Sequence, residues 1–453
     1  MPRARTQRNS LLGRAAGTVG VMAVALGATI VPANAAGHPT DIGDASGSGS
    51  TDVTPDSPNA TGTTVTVDGD QVHIHQQQAR VQAAMQAHAR RQALVTTVIP
   101  APTGHYQVGT TSLHLIDQSR YDPWVPSHPR RALMVQIWYP ATNTAGHDLA
   151  PWLPSEAAQS FLNNLGAWPG TLALPTTAGH LGAQVDPAAG KLPVLLYSTG
   201  LHSDRSMGTT LAEDLASRGY LVVAIDHTHD ANEVEFPDGS LEKNSIPANA
   251  TNILTVRAAD VHFVINELAA IQSGKNPDVD QAALPVGLSK NIDMNRIGMF
   301  GWSEGGAAVA TSMQLDSRIA AGANLDGQFY GSAYSKDLNR PFLLFSSQSH
   351  NRDTDGSWRT FWSHLKGTRY DIKMAGAAHL SFSDFEVLLP QAASVLGISQ
   401  YQLQQEVGSI DPNRAILLQR TYLAAYFDTV LRGQHSSLMD GPNSRYPEIS
   451  FVR

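Results

Sequence analysis

Arg296-Ile-Gly-Met-Phe-Gly-Trp-Ser-Glu-Gly-Gly-Ala-Ala-Val-Ala310 is the stretch from which the rest of this 453-residue chain can be read. It contains G-x-S-x-G as Gly301-Trp302-Ser303-Glu304-Gly305. The apolar run Arg296 to Phe300 predicts a short buried strand, and the Ala-rich, proline-free run Gly306 to Met313 predicts a helix. Strand, sharp turn and helix form the context in which G-x-S-x-G becomes a nucleophile elbow, with the serine hydroxyl pushed into the open. Flanking glycines let backbones approach across such a turn. The motif also fits an ordinary small-residue turn, so the remaining chain has to supply a base, an acid and oxyanion donors.

Working outward, strands and helices alternate. Leu192 to Tyr197 reads as a strand, Thr210 to Arg218 as a helix stopped by Gly219, and Leu221 to Ile225 as the next strand. Pro237-Asp-Gly239 marks a turn between short strands. Ile253 to Ile271 predicts a helix whose Leu254, Ala258, Val261, Ile265 and Leu268 share a face. Ile319 to Leu325, Phe342 to Phe345 and Arg369 to Met374 follow as strands, and Asp411-Pro412 opens a last helix through Leu431. Upstream, Tyr106 to Ile116 and Leu133 to Tyr139 read as strands joined by a turn-rich segment. Residues 141–190 read as a looser insertion, whose apolar residues suit either local packing or a wall over an acyl pocket. The alternation predicts a mostly parallel sheet covered on both faces, an α/β class.

Bulk properties narrow the function. The chain carries a net charge of -8 and has no cysteine. Disulfides, a thiol nucleophile and Cys-based metal sites are therefore excluded. Four arginines and no acid lie within residues 1–36, so the remainder carries -12. That balance argues against nucleic acid as a partner. Residues 1–36 read as a signal peptide ending in Ala33-Asn-Ala35, which predicts secretion, and the lack of adjacent arginines favours the general export route. Glycines, threonines and Pro32 dilute this segment, and no later run is long and apolar enough for a membrane span. Residues 37–102 read as a disordered linker with a short polar helix from Gln71, and residues 103–453 as the catalytic domain. His73 and His75, two apart, do not share a helix face as metal ligands would.

A serine needs a base, and the base needs an orienting acid. In a parallel α/β sheet these groups belong on loops at the carboxyl ends of strands, in the order Ser, acid, His. His379, in the small-residue loop Met374-Ala-Gly-Ala-Ala-His379, is the natural base. His350 comes before the final strand and is set aside. Asp326, at the tip of an apolar strand, is preferred as the acid, because an aspartate buried there must be paired. Asp353 and Asp355 read as part of a solvated turn. The oxyanion donors are expected to be the backbone N–H groups of Glu304 and of Leu201, in the loop Ser198-Thr-Gly-Leu-His202. Asp226, His227, His229 and Asp230 have metal-ligand chemistry at a strand end, but the simpler reading is a polar rim loop. No metal or other cofactor is expected.

Gly301 to Gly306, Leu325-Asp326, Ala378-His-Leu-Ser-Phe-Ser-Asp-Phe385 and Ser198 to Leu201 resemble the platelet-activating factor acetylhydrolase group of α/β-hydrolases and its lipase-like bacterial relatives. Asp122-Pro-Trp124, Met134 to Pro140, Arg257-Ala-Ala-Asp260 and Tyr446 to Ile449 agree, so the resemblance spans roughly residues 104–453. It implies an α/β-hydrolase fold with Ser303 as nucleophile, Asp326 as acid, His379 as base, and Leu201 and Glu304 as oxyanion donors. The family's oxyanion loop carries His-Gly-Leu-Gly, whereas Thr199 and His202 take the outer positions here. Glu304 is also unusual. Its charge would oppose an oxyanion, so its side chain is expected to point away or be paired. The resulting expectation is a secreted serine esterase or lipase acting on short acyl esters of phospholipids or glycerides. The alternatives are a polyester or cutin hydrolase and a non-catalytic α/β-hydrolase binding module.

Overall fold

Residues 93–452 are described in the computed structural model. The residues read as a signal peptide and most of those read as a linker, including His73 and His75, lie outside the described residues. The catalytic body begins earlier than Thr103. β1 (Val95–Thr96) pairs in parallel with β5 (Leu172–Ala173). The Arg420 guanidinium also holds the carbonyls of Pro100 and Ala101 at 2.9 and 2.8 Å. Residues 95–102 are thus tied down by the insertion and by the last long helix, contacts that composition does not reveal.

Long strands β2 (Gln107–Tyr121) and β3 (Arg130–Thr142) come first, and the turn expected from Asp117 begins only after a ladder irregularity between Asp117 and Tyr121. The insertion is more ordered than its composition suggests. It supplies β4 (Leu149–Pro151), α1 (Ser155–Asn164), β5, β6 (Thr176–Leu181) and β7 (Gln184–Val185). β8 (Leu192–Ser198), α2 (Thr209–Ser217) and β9 (Leu221–Asp226) follow. A small hairpin, β10 (Glu233–Glu235) and β11 (Leu241–Lys243), then leads to α3 (Ile253–Gln272) and the short α4 (Leu288–Asn291). The quoted stretch forms β12 (Ile292–Trp302) and α5 (Glu304–Leu315). β13 (Ile319–Leu325), β14 (Phe342–Ser346), α6 (Gly356–His364) and β15 (Arg369–Met374) complete the parallel part. Helices α7 (Phe385–Leu396), α8 (Gln400–Val407) and α9 (Pro412–Arg432) precede the edge strand β16 (Ile449–Phe451).

These strands form a twelve-stranded sheet in the order β16-β15-β14-β13-β12-β8-β9-β3-β2-β6-β4, with β7 beside β3. β9, β8, β12, β13, β14 and β15 run parallel. The chain passes from β8 outward to β9 and then crosses back to β12, on the other side of β8. This reversal places a crevice at the carboxyl ends of β8 and β12, where open α/β sheets bind ligands.

Side-chain alternation covers both faces. Val194, Leu196, Ile297 and Met299 join Val261, Val264, Ala307 and Val309 in one core. On the opposite face Phe300 packs on Phe427 of α9, and Phe345 on Tyr422. All five apolar positions expected on one face of α3 are buried. Arg257 and Asp260 of that helix are buried too, and both bear on the site.

Candidate active site

Ser303 lies between β12 and α5 with φ 56° and ψ −122°. This left-handed backbone is strained for a non-glycine residue and persists because its surroundings over-determine it. Ser303 N donates to Leu325 O at 3.0 Å. A Cβ on Gly305 would stand 1.9 Å from Ser198 O, so only glycine lets α5 start directly against the loop after β8. Asp326, at the end of β13, is also left-handed, with φ 57°. The Asn324 side chain pins that turn by accepting from Gly327 N at 2.7 Å and donating to Gly327 O at 2.8 Å.

His379 follows β15 and opens a short helical turn. Ser381 Oγ ties that turn by accepting from Ala378 N at 3.0 Å and donating to Val407 O at 2.7 Å. Gln419 of α9 grips Ser381 O at 2.8 Å. Trp302 Nε1 donates to the His379 carbonyl at 3.0 Å. With its backbone fixed, His379 reaches Ser303 Oγ through Nε2 at 3.0 Å and Asp326 Oδ2 through Nδ1 at 2.8 Å. Residues 303, 326 and 379, from three loops, therefore form one hydrogen-bonded chain. Asp326 is buried, but hydrogen bonds from His350 and His379 outweigh burial and hold its pKa down at about 2. The His379 side chain is 43% exposed, so the base faces the crevice.

The loop after β8 is held from behind. Arg257 donates to the carbonyls of Thr199 and Gly200, the latter at 3.0 Å, and forks onto Asp230 at 2.7 and 2.8 Å. No peptide bond here is cis. In a trans peptide the carbonyl and the following N–H point in opposite directions. Anchoring Gly200 O on Arg257 thus aims the Leu201 N–H away from that guanidinium. The Glu304 N–H heads α5 and lacks an intrahelical acceptor. Neither of these two N–H groups is used in a hydrogen bond among the described residues. The Glu304 carboxylate is paired, accepting from the Tyr330 hydroxyl. Burial raises its pKa, while the Arg257 charge and the Tyr330 bond pull the other way.

A second set of the same residue types lies directly behind the first. Ser198 Oγ meets His227 Nε2 at 2.9 Å, and His227 Nδ1 meets Asp260 Oδ2 at 3.0 Å. Here Ser198 is 0% and His227 1% exposed, so no substrate reaches them. Burial keeps this imidazole neutral by lowering its pKa. The ionisable side chains of the rim loop are paired: Asp226 with Arg205, Asp230 with Arg257, and His229 between Asp122 and Glu242. No cluster among the described residues has the makings of a metal site.

Sequence reasoning missed three groups. Arg257 was detectable as a charge on the apolar stripe of α3. Asp355, expected in a solvated turn, is buried and caps α6. His350, set aside because of its place in the chain order, lies on the Asp326 carboxylate; nothing in its neighbouring sequence signals this.

An elbow serine, a histidine and an aspartate at the switch point of a mostly parallel sheet define an α/β-hydrolase. The sequence pattern of platelet-activating factor acetylhydrolase, isoform II, matches residues 92–437, and the chain belongs to that family. It is 29% identical over 384 residues to a probable 1-alkyl-2-acetylglycerophosphocholine esterase of Arthroderma benhamiae, a match covering 78% of this chain and 94% of that protein. It is 23% identical to platelet-activating factor acetylhydrolase of Gallus gallus, over 70% of this chain and 80% of that one. Among solved structures, ferulic acid esterase from Streptomyces cinnamoneus is similar with a TM-score of 0.68 and 32% identity, covering 79% of this chain and 99% of that one.

Proposed function

We propose that the chain is a serine-dependent carboxylic ester hydrolase acting on lipid esters, with short acyl groups on phospholipids or glycerides as its substrates. The hydrogen-bonded sequence Ser303–His379–Asp326, with 3.0 and 2.8 Å contacts, carries this reading. Ser303 Oγ attacks the ester carbonyl as His379 Nε2 takes its proton. Asp326 holds the imidazole in the tautomer that leaves Nε2 free and stabilises the imidazolium. The N–H groups of Leu201 and Glu304 stabilise the oxyanion, each worth roughly 3–4 kcal/mol of barrier. His379 then protonates the leaving alcohol, and water activated by the same base releases the acid.

The experiment is labelling with a fluorophosphonate alongside turnover of an acetylated phospholipid. Ser303→Ala should abolish both, and labelling that persists in the variant would sink the assignment. The solved esterase favours a second reading, an aromatic ester such as a feruloyl ester. A higher kcat/KM on methyl ferulate than on the acetylated phospholipid would select it. A polyester film in the same series tests the polyester alternative.

Secretion through residues 1–36 is part of the proposal, supported by the arginines, the apolar stretch and Ala33-Asn-Ala35. A form in culture supernatant whose N-terminus lies just past Ala33-Asn-Ala35 is the expected result. Among the described residues no helix is long and apolar enough to cross a membrane.

A further inference from the structure

Asp326 is shared between two histidines. Its Oδ2 faces His379, while Oδ1 receives Ser347 N at 2.7 Å and His350 Nδ1 at 3.1 Å. The other nitrogen of His350, Nε2, meets Asp355 Oδ2 at 2.8 Å. Asp355 is itself immobilised at the start of α6, where Oδ1 accepts from Ser357 N and Ser357 Oγ, both at 2.7 Å. The His350 ring lies 4.5 Å from the Trp358 ring, and Trp358 Nε1 donates to Gly327 O at 2.7 Å. Both residues flanking His350 in this chain of contacts are thus anchored.

We propose that His350 is a positioning residue for ester hydrolysis, clamping Asp326 Oδ1 so that Oδ2 stays on His379 and offsetting part of the carboxylate charge that His379 feels. The inference rests on the reading of Ser303, His379 and Asp326 as the reacting groups. A neutral imidazole has one donor and one acceptor nitrogen. With a carboxylate at each nitrogen, only the doubly protonated ring satisfies both. Burial opposes that charge, yet the two carboxylates win and raise the His350 pKa to about 9. The other charged groups on this side are Asp371 of β15 and Arg352, which pair with each other, and Asp353, whose charge Asp371 feels. The site thus holds a cation on the far side of the acid from the base.

Two effects follow, and their signatures differ. Without the clamp only the Ser347 N–H still holds Oδ1, so the carboxylate is less firmly set, and a misplacement of about 1 Å costs on the order of 100-fold in rate. Without the cation, Asp326 favours a protonated His379 more strongly, so the acid limb of kcat/KM moves to higher pH.

The test uses the full chain with a soluble p-nitrophenyl acetate substrate and His350→Gln, which keeps a hydrogen-bonding side chain without the charge. The expected result is a kcat lower by about 10- to 100-fold with KM nearly unchanged, together with an acid limb displaced upward in pH. Asp355→Asn, which removes the second carboxylate, should displace the limb in the same direction by less. It decides the matter alone if His350→Gln does not fold. A wild-type acid limb in both folded variants would overturn the proposal, even if kcat and melting temperature fell together. Ser303→Ala run in parallel separates the two failures: retained turnover would refute the nucleophile and with it the ground of the clamp, whereas lost turnover beside wild-type acid limbs in the other variants refutes the clamp alone.

Discussion

Arg257 Nη2 donates to Gly200 O at 3.0 Å, and through that bond a helix on one face of the sheet sets the direction of a backbone N–H at the mouth of the crevice. The guanidinium is buried and neutralised by Asp230, so the loop after β8 is held by a charge that solvent does not screen.

Arg257→Lys should expose this dependence. Lysine keeps the charge but cannot fork onto Asp230 while also holding two carbonyls. A fall of about 100-fold in kcat is expected, the scale of losing one oxyanion donor, with fluorophosphonate labelling slowed in parallel. Arg257→Leu leaves Asp230 buried and unpaired and should cost about 3–5 kcal/mol in urea unfolding. Unchanged kcat in a folded Arg257→Lys variant would show that the loop holds its own shape.

Phe161 offers a test of whether the insertion walls an acyl group. It stacks on Phe385 at 6.0 Å and meets the Trp152 edge at 5.2 Å. With Leu165 and Phe385 it lines both a hollow beside His202, Ser203 and Met207 and an apolar one lined by Leu172, Leu388 and Leu389. Phe161→Ala is expected to widen both hollows. The ratio of kcat/KM for octanoyl over acetyl p-nitrophenyl esters should rise, at a cost of about 3–5 kcal/mol in stability. If the ratio stays constant, α1 is packing and not a wall over the acyl group.

Glu386 of α7 gives the fold a pH dependence. Burial pushes its pKa up to about 8, and neither carboxylate oxygen has a hydrogen-bond partner among the described residues. Its ordinary value is 4.5. Below that pH the folded and unfolded chains are both protonated, and Glu386 exacts no charge penalty. As pH rises the unfolded chain loses the proton first, so stability falls until the folded pKa is passed. Melting temperatures of wild type and Glu386→Gln measured from pH 4.5 to 9 should therefore diverge steadily in favour of the variant. Parallel curves would remove Glu386 as the cause.

The sequence by itself determined the elbow, the α/β class and the strand ends that carry residues 303, 326 and 379. Each is written in local pattern: apolar runs of strand length, a glycine-flanked serine, and acidic and imidazole groups just beyond the strands. Local pattern also allowed Glu304 to be flagged as needing a partner, but it could not name Tyr330, which lies beyond another strand. Which polar groups meet, and which of them face the crevice, depends on tertiary packing. Ser198–His227–Asp260 and Ser303–His379–Asp326 share the same residue types and similar distances, yet one set is sealed inside and the other is open. His350 falls before β15 in the chain, where strand order offers it no role, but the pairing of β14 with β13 brings it onto Asp326. Burial and proximity across strands depend on the assembled sheet and not on neighbours in the chain. For that reason residues 303, 326 and 379 could be proposed from the sequence, and the groups that hold them in place could not.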